Sequence, residues 1–157
     1  MVAKPKPNPK QQLQRNVKKW TKPLMDAGWT CIPNVIIQRQ HALGLDSVDL
    51  NIIAYLASLW WTDDNPPYPS VKAMATILQI KPRSVQRRIA ALEANGFIRR
   101  EARFDAVKGR TTNVYRLDKL IELATPYAQE ELERRAKRKA ENAETARLKK
   151  PRLHAVK

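Results

Sequence analysis

The sequence predicts a mainly α chain carrying one small β-hairpin, and three observations predict it. Apolar residues recur at helical spacing, first along Ile52, Ile53, Leu56, Leu59 and Trp60 and then along Val85, Ile89 and Leu92. Helix-start signals precede these stripes: Asp46 or Ser47 before the first, Ser70 before a short middle helix, and Lys81-Pro82 before the last. After Asn95-Gly96 the pattern moves toward alternation and is interrupted by Lys108-Gly109-Arg110, as in two strands and a turn.

The elements follow in chain order. Residues 1–10 alternate Lys and Pro with nothing to bury, which reads as a flexible basic arm. Leu13, Val17 and Trp20 then repeat among cations, giving a short amphipathic helix that forms when docked, since an isolated helix of that length is marginal. Trp29 to Gln38 is an apolar lead-in whose Ile32, Val35 and Ile36 should pack on the domain. The first long helix runs from its cap at Asp46 or Ser47 to about Trp61 and is the spine of the core. Thr62-Asp63-Asp64-Asn65-Pro66-Pro67 is a loop.

Ser70 caps a helix that buries Val71, Met74 and either Ile77 or Leu78, with Ala75 small where two helices cross. Gln79-Ile80-Lys81 is the turn into the next helix, which Pro82 opens and Gly96 closes. With Val85, Ile89 and Leu92 inward, Arg83, Gln86, Arg87, Ala90 and Ala94 fall on or near the opposite face. Phe97 to Phe104 reads as a half-buried strand with Ile98, Ala102 and Phe104 on one side, and Thr111 to Leu117 as its partner. Asp118 caps a helix from Lys119 to Ala124, and Pro126 starts a separate polar helix, roughly Tyr127 to Lys149. No internal repeat is present. Three units result: a basic N-terminal arm with a short amphipathic helix (1–28), a central domain (29–124) and a basic helical extension (125–157).

Helix, short turn, arginine-bearing helix and basic hairpin is the order of a winged helix-turn-helix, a fold that places one helix in a DNA groove. Charge agrees. The chain carries 30 basic and 15 acidic residues for a net charge of +15, which points to a polyanion. Residues 70–116 hold eleven basic and three acidic side chains, whereas 46–69 hold only Asp46, Asp49, Asp63 and Asp64. The proposed groove-facing elements are therefore basic and the supporting helix acidic.

Other functions find little support. Cys31 is the single cysteine, so neither an internal disulfide nor a multi-cysteine zinc site is expected, and it reads as a small packed residue. His41 and His154 lack partners at metal-ligand spacing. No run approaches the roughly 20 apolar residues that span a bilayer, and the first residues lack an apolar signal core. No nucleophile–base spacing or phosphate-cradling glycine loop suggests an enzyme, and no metal or cofactor is expected. The expected place is the cytoplasm, on the nucleoid.

The segments Ile32-Pro33-Asn34, Leu45-Asp46, Pro69-Ser70, Ser84-Val85-Gln86-Arg87, Leu92-Glu93, Gly96-Phe97-Ile98 and Thr112-Asn113-Val114-Tyr115-Arg116-Leu117 together resemble the winged helix-turn-helix family of phage and plasmid proteins. That family includes replication-initiation proteins and stand-alone DNA-binding regulators. The resemblance covers about residues 29–124. It implies that Arg83, Ser84, Gln86 and Arg87 read the groove, with Lys81 and Arg88 on the same helix. It further implies that Ser70 and Lys72 hold phosphates, and that Arg103, Lys108 and Arg110 reach from the wing. Lys81-Pro82 departs from the polar cap and arginine common in such families, and a large second domain found in many initiators is lacking. The expected activity is non-catalytic, sequence-specific binding of double-stranded DNA, as a transcriptional regulator or a replication accessory or initiator of a plasmid, phage or other mobile element. A homodimer or a replication or transcription protein is the expected further partner, and a membrane is not. The alternatives are a winged-helix adaptor docking through Trp20 and Trp29, and a non-specific nucleic-acid binder acting through basic tails.

Overall fold

Side-chain caps fix where the helices of the central domain begin. The computed structural model describes residues 8–107 and 109–148. The spine helix is α4, Ser47–Ser58, following three short helices: α1 (Pro9–Trp20), α2 (Lys22–Asp26) and α3 (Asn34–Gln38). Asp46 accepts the N–H groups of Val48 and Asp49, each at 2.9 Å, and the Asp49 carboxylate accepts the Asp46 N–H in return. Ile52, Ile53 and Leu56 are wholly buried. The helix ends at Ser58, earlier than its apolar run, so Leu59 is exposed and Trp60 only half-buried.

In α5 (Val71–Leu78) the Ser70 hydroxyl accepts the Ala73 N–H at 3.0 Å. Met74 and Ala75 are buried. Leu78 packs against the core while Ile77 is 61% exposed, which resolves the alternative left by spacing. Gln79 closes the helix in the left-handed region (φ 54°), and its side-chain amide donates to the Thr76 carbonyl at 2.7 Å. α6, Pro82–Ala94, then packs against α5, whose small Ala75 is buried in the shared core. Its Val85, Ile89 and Leu92 are almost fully buried, a contribution of about 1.5–3 kcal/mol apiece relative to exposure. Gly96 (φ 75°) reverses the chain, the Phe97 N–H reaches the Leu92 carbonyl at 2.8 Å, and Phe97 and Ile98 enter the core.

The wing is a hairpin in two antiparallel pieces. β1 (Arg99–Glu101) pairs with β4 (Val114–Arg116), and β2 (Phe104–Asp105) pairs with β3 (Gly109–Arg110). Tyr115 donates its N–H to the Pro67 carbonyl at 2.8 Å, so the linker before α5 lies along β4. The expected inward side of the first strand ends sooner than its alternation suggests. Ile98 is buried, but Ala102 is exposed and Phe104, on the outer piece of the hairpin, is 72% exposed.

The C-terminal part also differs from expectation. Asp118–Leu148 is one 31-residue helix, α7, with Pro126 inside it and the expected boundary at 124/125 within its span. A proline there removes one helical donor and costs roughly 3 kcal/mol in an isolated helix. Packing on both sides opposes that cost. Leu120 and Ala124 are buried in the core before Pro126. After it, Tyr127 reaches the Ala42 carbonyl, and Arg39 pairs with Glu130 at 3.1 Å.

At the other end, α1 begins in a capping box between Asn8 and Gln11 and folds back on α2, burying none of its own residues. α3 sits within the apolar lead-in and packs on α7 through buried Ile36. The predicted arm at residues 1–7 lies outside the described residues.

Candidate nucleic-acid interface

Because α6 turns Val85, Ile89 and Leu92 inward, its opposite face is set by sequence spacing alone. Lys81, Arg83, Ser84, Gln86 and Arg87 border one open hollow of about 510 Å³ on that face. All but the half-buried Ser84 are exposed. Lys81, Arg83 and Arg87 form no ion pair among the described residues. Three cations and one amide are thus held on a rigid helix with their donors unspent. The Lys81 side chain caps nothing, so it too is available.

Arg88 does not belong to this face. Its guanidinium lies 2.5 Å from Asp46 and 3.6 Å from Asp49, across the junction between α6 and α4. The backbone N–H of Asp49 is the chief influence holding the Asp46 carboxyl below its ordinary range; burial opposes it and Arg88 assists. Burial raises the Asp49 carboxyl above its usual value; the backbone N–H of Asp46 opposes this, the Asp46 charge adds to it, and Arg88 offsets part of it. Arg88 is three residues after Val85 and four before Leu92, on the edge of the buried stripe.

Glu93, the acid of α6, is also neutralised. Arg100 donates to it through Nε at 2.7 Å and through its backbone N–H at 3.0 Å. The Arg100 side chain thereby holds the Glu93 carboxyl below the usual range, and Glu93 in turn raises Arg100. Sequence reasoning did not single out Arg100; its position at the start of β1, beside the end of α6, becomes evident only from the Gly96 reversal.

The phosphate-side residues are partly gathered. Ser70 and Arg110 line a shared hollow of about 340 Å³ with Thr111, Thr112 and Asn113, where the wing meets the start of α5. Lys72 is exposed on α5 but does not line it. Arg103 stacks over the Tyr68 ring at 4.2 Å, which ties the wing to the linker before α5. Lys108 lies outside the described residues. Cys31 is exposed rather than packed. No group of metal-ligating side chains occurs among the described residues, and no described helix is long and apolar enough to cross a membrane.

Residues 43–98 match the sequence model of a helix-turn-helix domain. The match takes in α4, α5 and α6 and stops where the hairpin begins. With β1–β4 following in place, the wing completes it. The fold is a winged helix-turn-helix. No curated protein matches the chain. Among solved structures it is similar to the YusO protein from Bacillus subtilis, with 17% sequence identity over 85% of this chain and 96% of that chain and a TM-score of 0.40.

Proposed function

We propose that the protein is a non-catalytic, sequence-specific binder of duplex DNA that inserts α6 into the major groove. Its cellular role would be that of a transcriptional regulator or a replication accessory or initiator protein of a plasmid, phage or other mobile element. One observation carries the reading: on the second helix of a helix-turn-helix, the outward Lys81, Arg83, Gln86 and Arg87 are exposed and uncompensated, while neighbouring Arg88 and Arg100 are consumed by acids.

The chemistry of recognition follows from those groups. Arg87 and Arg83 can each present two parallel donors to O6 and N7 of a guanine, and Gln86 can pair with adenine; each such pair is worth about 1–3 kcal/mol of discrimination. Ser70, Lys72 and Arg110 would position the duplex through phosphates without reading sequence. Release of counterions from those contacts makes affinity fall with salt.

The test is selection from a random duplex pool by the full chain at about 150 mM salt, followed by sequencing. A recovered motif that Arg87→Ala weakens by roughly tenfold or more, with its base preference relaxed at one position, is the expected result. Binding without any motif, unchanged by Arg87→Ala, would overturn the reading in favour of a sequence-blind nucleic-acid binder.

A further inference from the structure

The hairpin of α1 and α2 and the lead-in after it enclose a groove of about 700 Å³, with Trp20, Leu24, Met25, Trp29 and Ile32 in its lining. Trp20 is 53% and Trp29 50% exposed, so two indoles and a leucine stand uncovered around one concavity. Its surroundings are cationic. Lys10, Arg15, Lys18 and Lys19 have no acidic partner among the described residues, whereas Lys22 is paired with Asp26.

These properties narrow the occupant. DNA phosphates would satisfy the lysines but leave the indoles and Leu24 in water. A second copy of the same groove would set like charges against one another. A fitting occupant brings a large apolar side chain and adjacent acids together. The chain itself presents such an element between α4 and α5. Thr62 and Asn65 bridge to form a tight turn with Asp63 and Asp64 at its tip. Trp61, immediately before it, is 68% exposed. No basic residue occurs anywhere in 46–69, and Asp63 and Asp64 form no ion pair among the described residues. Within one molecule the turn has other neighbours: Asp63 lines a separate hollow with Trp60, Arg99, Tyr115 and Ile121, which shares no residue with the groove.

We propose that a second copy of the chain seats its Trp61–Asp64 turn in the Trp20–Trp29 groove, joining copies head to tail. Trp61 fills the apolar floor, and Asp63 and Asp64 meet Lys18 and Lys19. Because the two surfaces differ, each copy in a pair keeps one free groove and one free turn, and the contact extends into open chains instead of closing as a two-fold dimer. Such polarity suits binding sites repeated in one direction. The contact stands on protein surfaces alone and does not require that α6 reads DNA.

The experiment is sedimentation velocity of the full chain without DNA, from micromolar to sub-millimolar concentration at moderate salt. The expected result is a mass that grows past the dimer with concentration. Trp61→Ala and Trp20→Ala should each weaken association by about tenfold or more, as loss of a central interfacial tryptophan does. An equimolar mixture of the two variants should recover dimers and nothing larger, since one sound turn and one sound groove remain. Circular dichroism checks that Trp20→Ala keeps its helices. The exposed pair Asp63→Lys/Asp64→Lys repeats the loss without touching the groove, and adding Lys18→Glu/Lys19→Glu to that same chain should restore association. A wild type that stays monomeric throughout overturns the proposal. So does a dimer that Trp61→Ala leaves intact and Trp20→Ala abolishes, which would mean that grooves meet each other. A monomer that instead binds phosphatidylglycerol vesicles through Trp20 would make lipid the occupant and equally overturn it.

Discussion

α6 and the outer half of α7 are both rich in arginine, yet they present their charge in opposite ways. On α7, Glu131 binds both Arg134 and Arg135, and Glu130 binds Arg39. Glu133 precedes and Glu141 and Glu144 follow Lys137, Arg138 and Lys139, which form no ion pair among the described residues. On α6, the outward cations have no acid among them, and Glu93 at the far end is held by Arg100. A count of basic residues would rank the outer half of α7 above α6. What separates them is compensation: paired arginines hold a helix or a junction in place, whereas unpaired ones on a buried-backed helix remain free to bind something else.

That contrast can be broken first at the inner face of α6. Ile89→Ala should destabilise the domain by about 2–5 kcal/mol, because the residue is almost fully buried and the cavity cannot collapse within a crossing of two helices. Chemical denaturation measures it; a loss below half that range would mean that α6 is held by contacts other than its stripe. Arg88→Ala comes next. Removing the counterion leaves the largely buried Asp49 uncompensated and should cost about 1–2 kcal/mol, with DNA base preference unchanged. A shift in the selected motif would return Arg88 to the reading face.

Acid sharpens the comparison further. Glu93 is held below its ordinary value of 4.5, so its pairing with Arg100 stabilises the fold fully above that pH and is lost as pH falls through the depressed value in the folded state. Asp46 acts with the same sign, while Asp49, raised by burial, acts in the opposite one. The deficit in melting temperature of Glu93→Gln against the native chain should therefore shrink between neutral pH and about pH 3. A deficit constant across that range would mean that the pair contributes no linkage. The smallest effect belongs to α7: Arg134→Ala with Arg135→Ala should leave the melting temperature almost unchanged, since both arginines are exposed to solvent. Thermal melts would detect a larger loss.

The helices of the central domain were legible because each begins with a side chain whose chemistry acts locally: Asp46, Ser70 and Pro82 start their helices where the sequence places them. Gly96 likewise ends α6 by its own left-handed backbone. The continuity of α7 was not legible, because Pro126 argues locally for a break and is overruled by Leu120, Ala124 and Tyr127 gripping the rest of the molecule. Phe104 failed for the converse reason: alternation states which side a strand residue faces, but not whether anything lies there. The outward placement of Arg83, Gln86 and Arg87 needed only the helical period. Separating Arg88 from them needed the acids of α4, which come from some forty residues earlier in the chain.

An unbroken α7 carries angle as well as distance. From Glu130, where Arg39 anchors it, to Leu148 the axis advances about 27 Å at 1.5 Å per residue. Each residue in that span also turns the helix by roughly 100°, so the bearing of Arg134 to Lys139 is phased to the domain. Losing one residue between the anchor and that cluster would swing its cations well around the axis while moving them hardly at all along it. Inserting seven there would bring them back to nearly the same bearing, two turns farther from the domain.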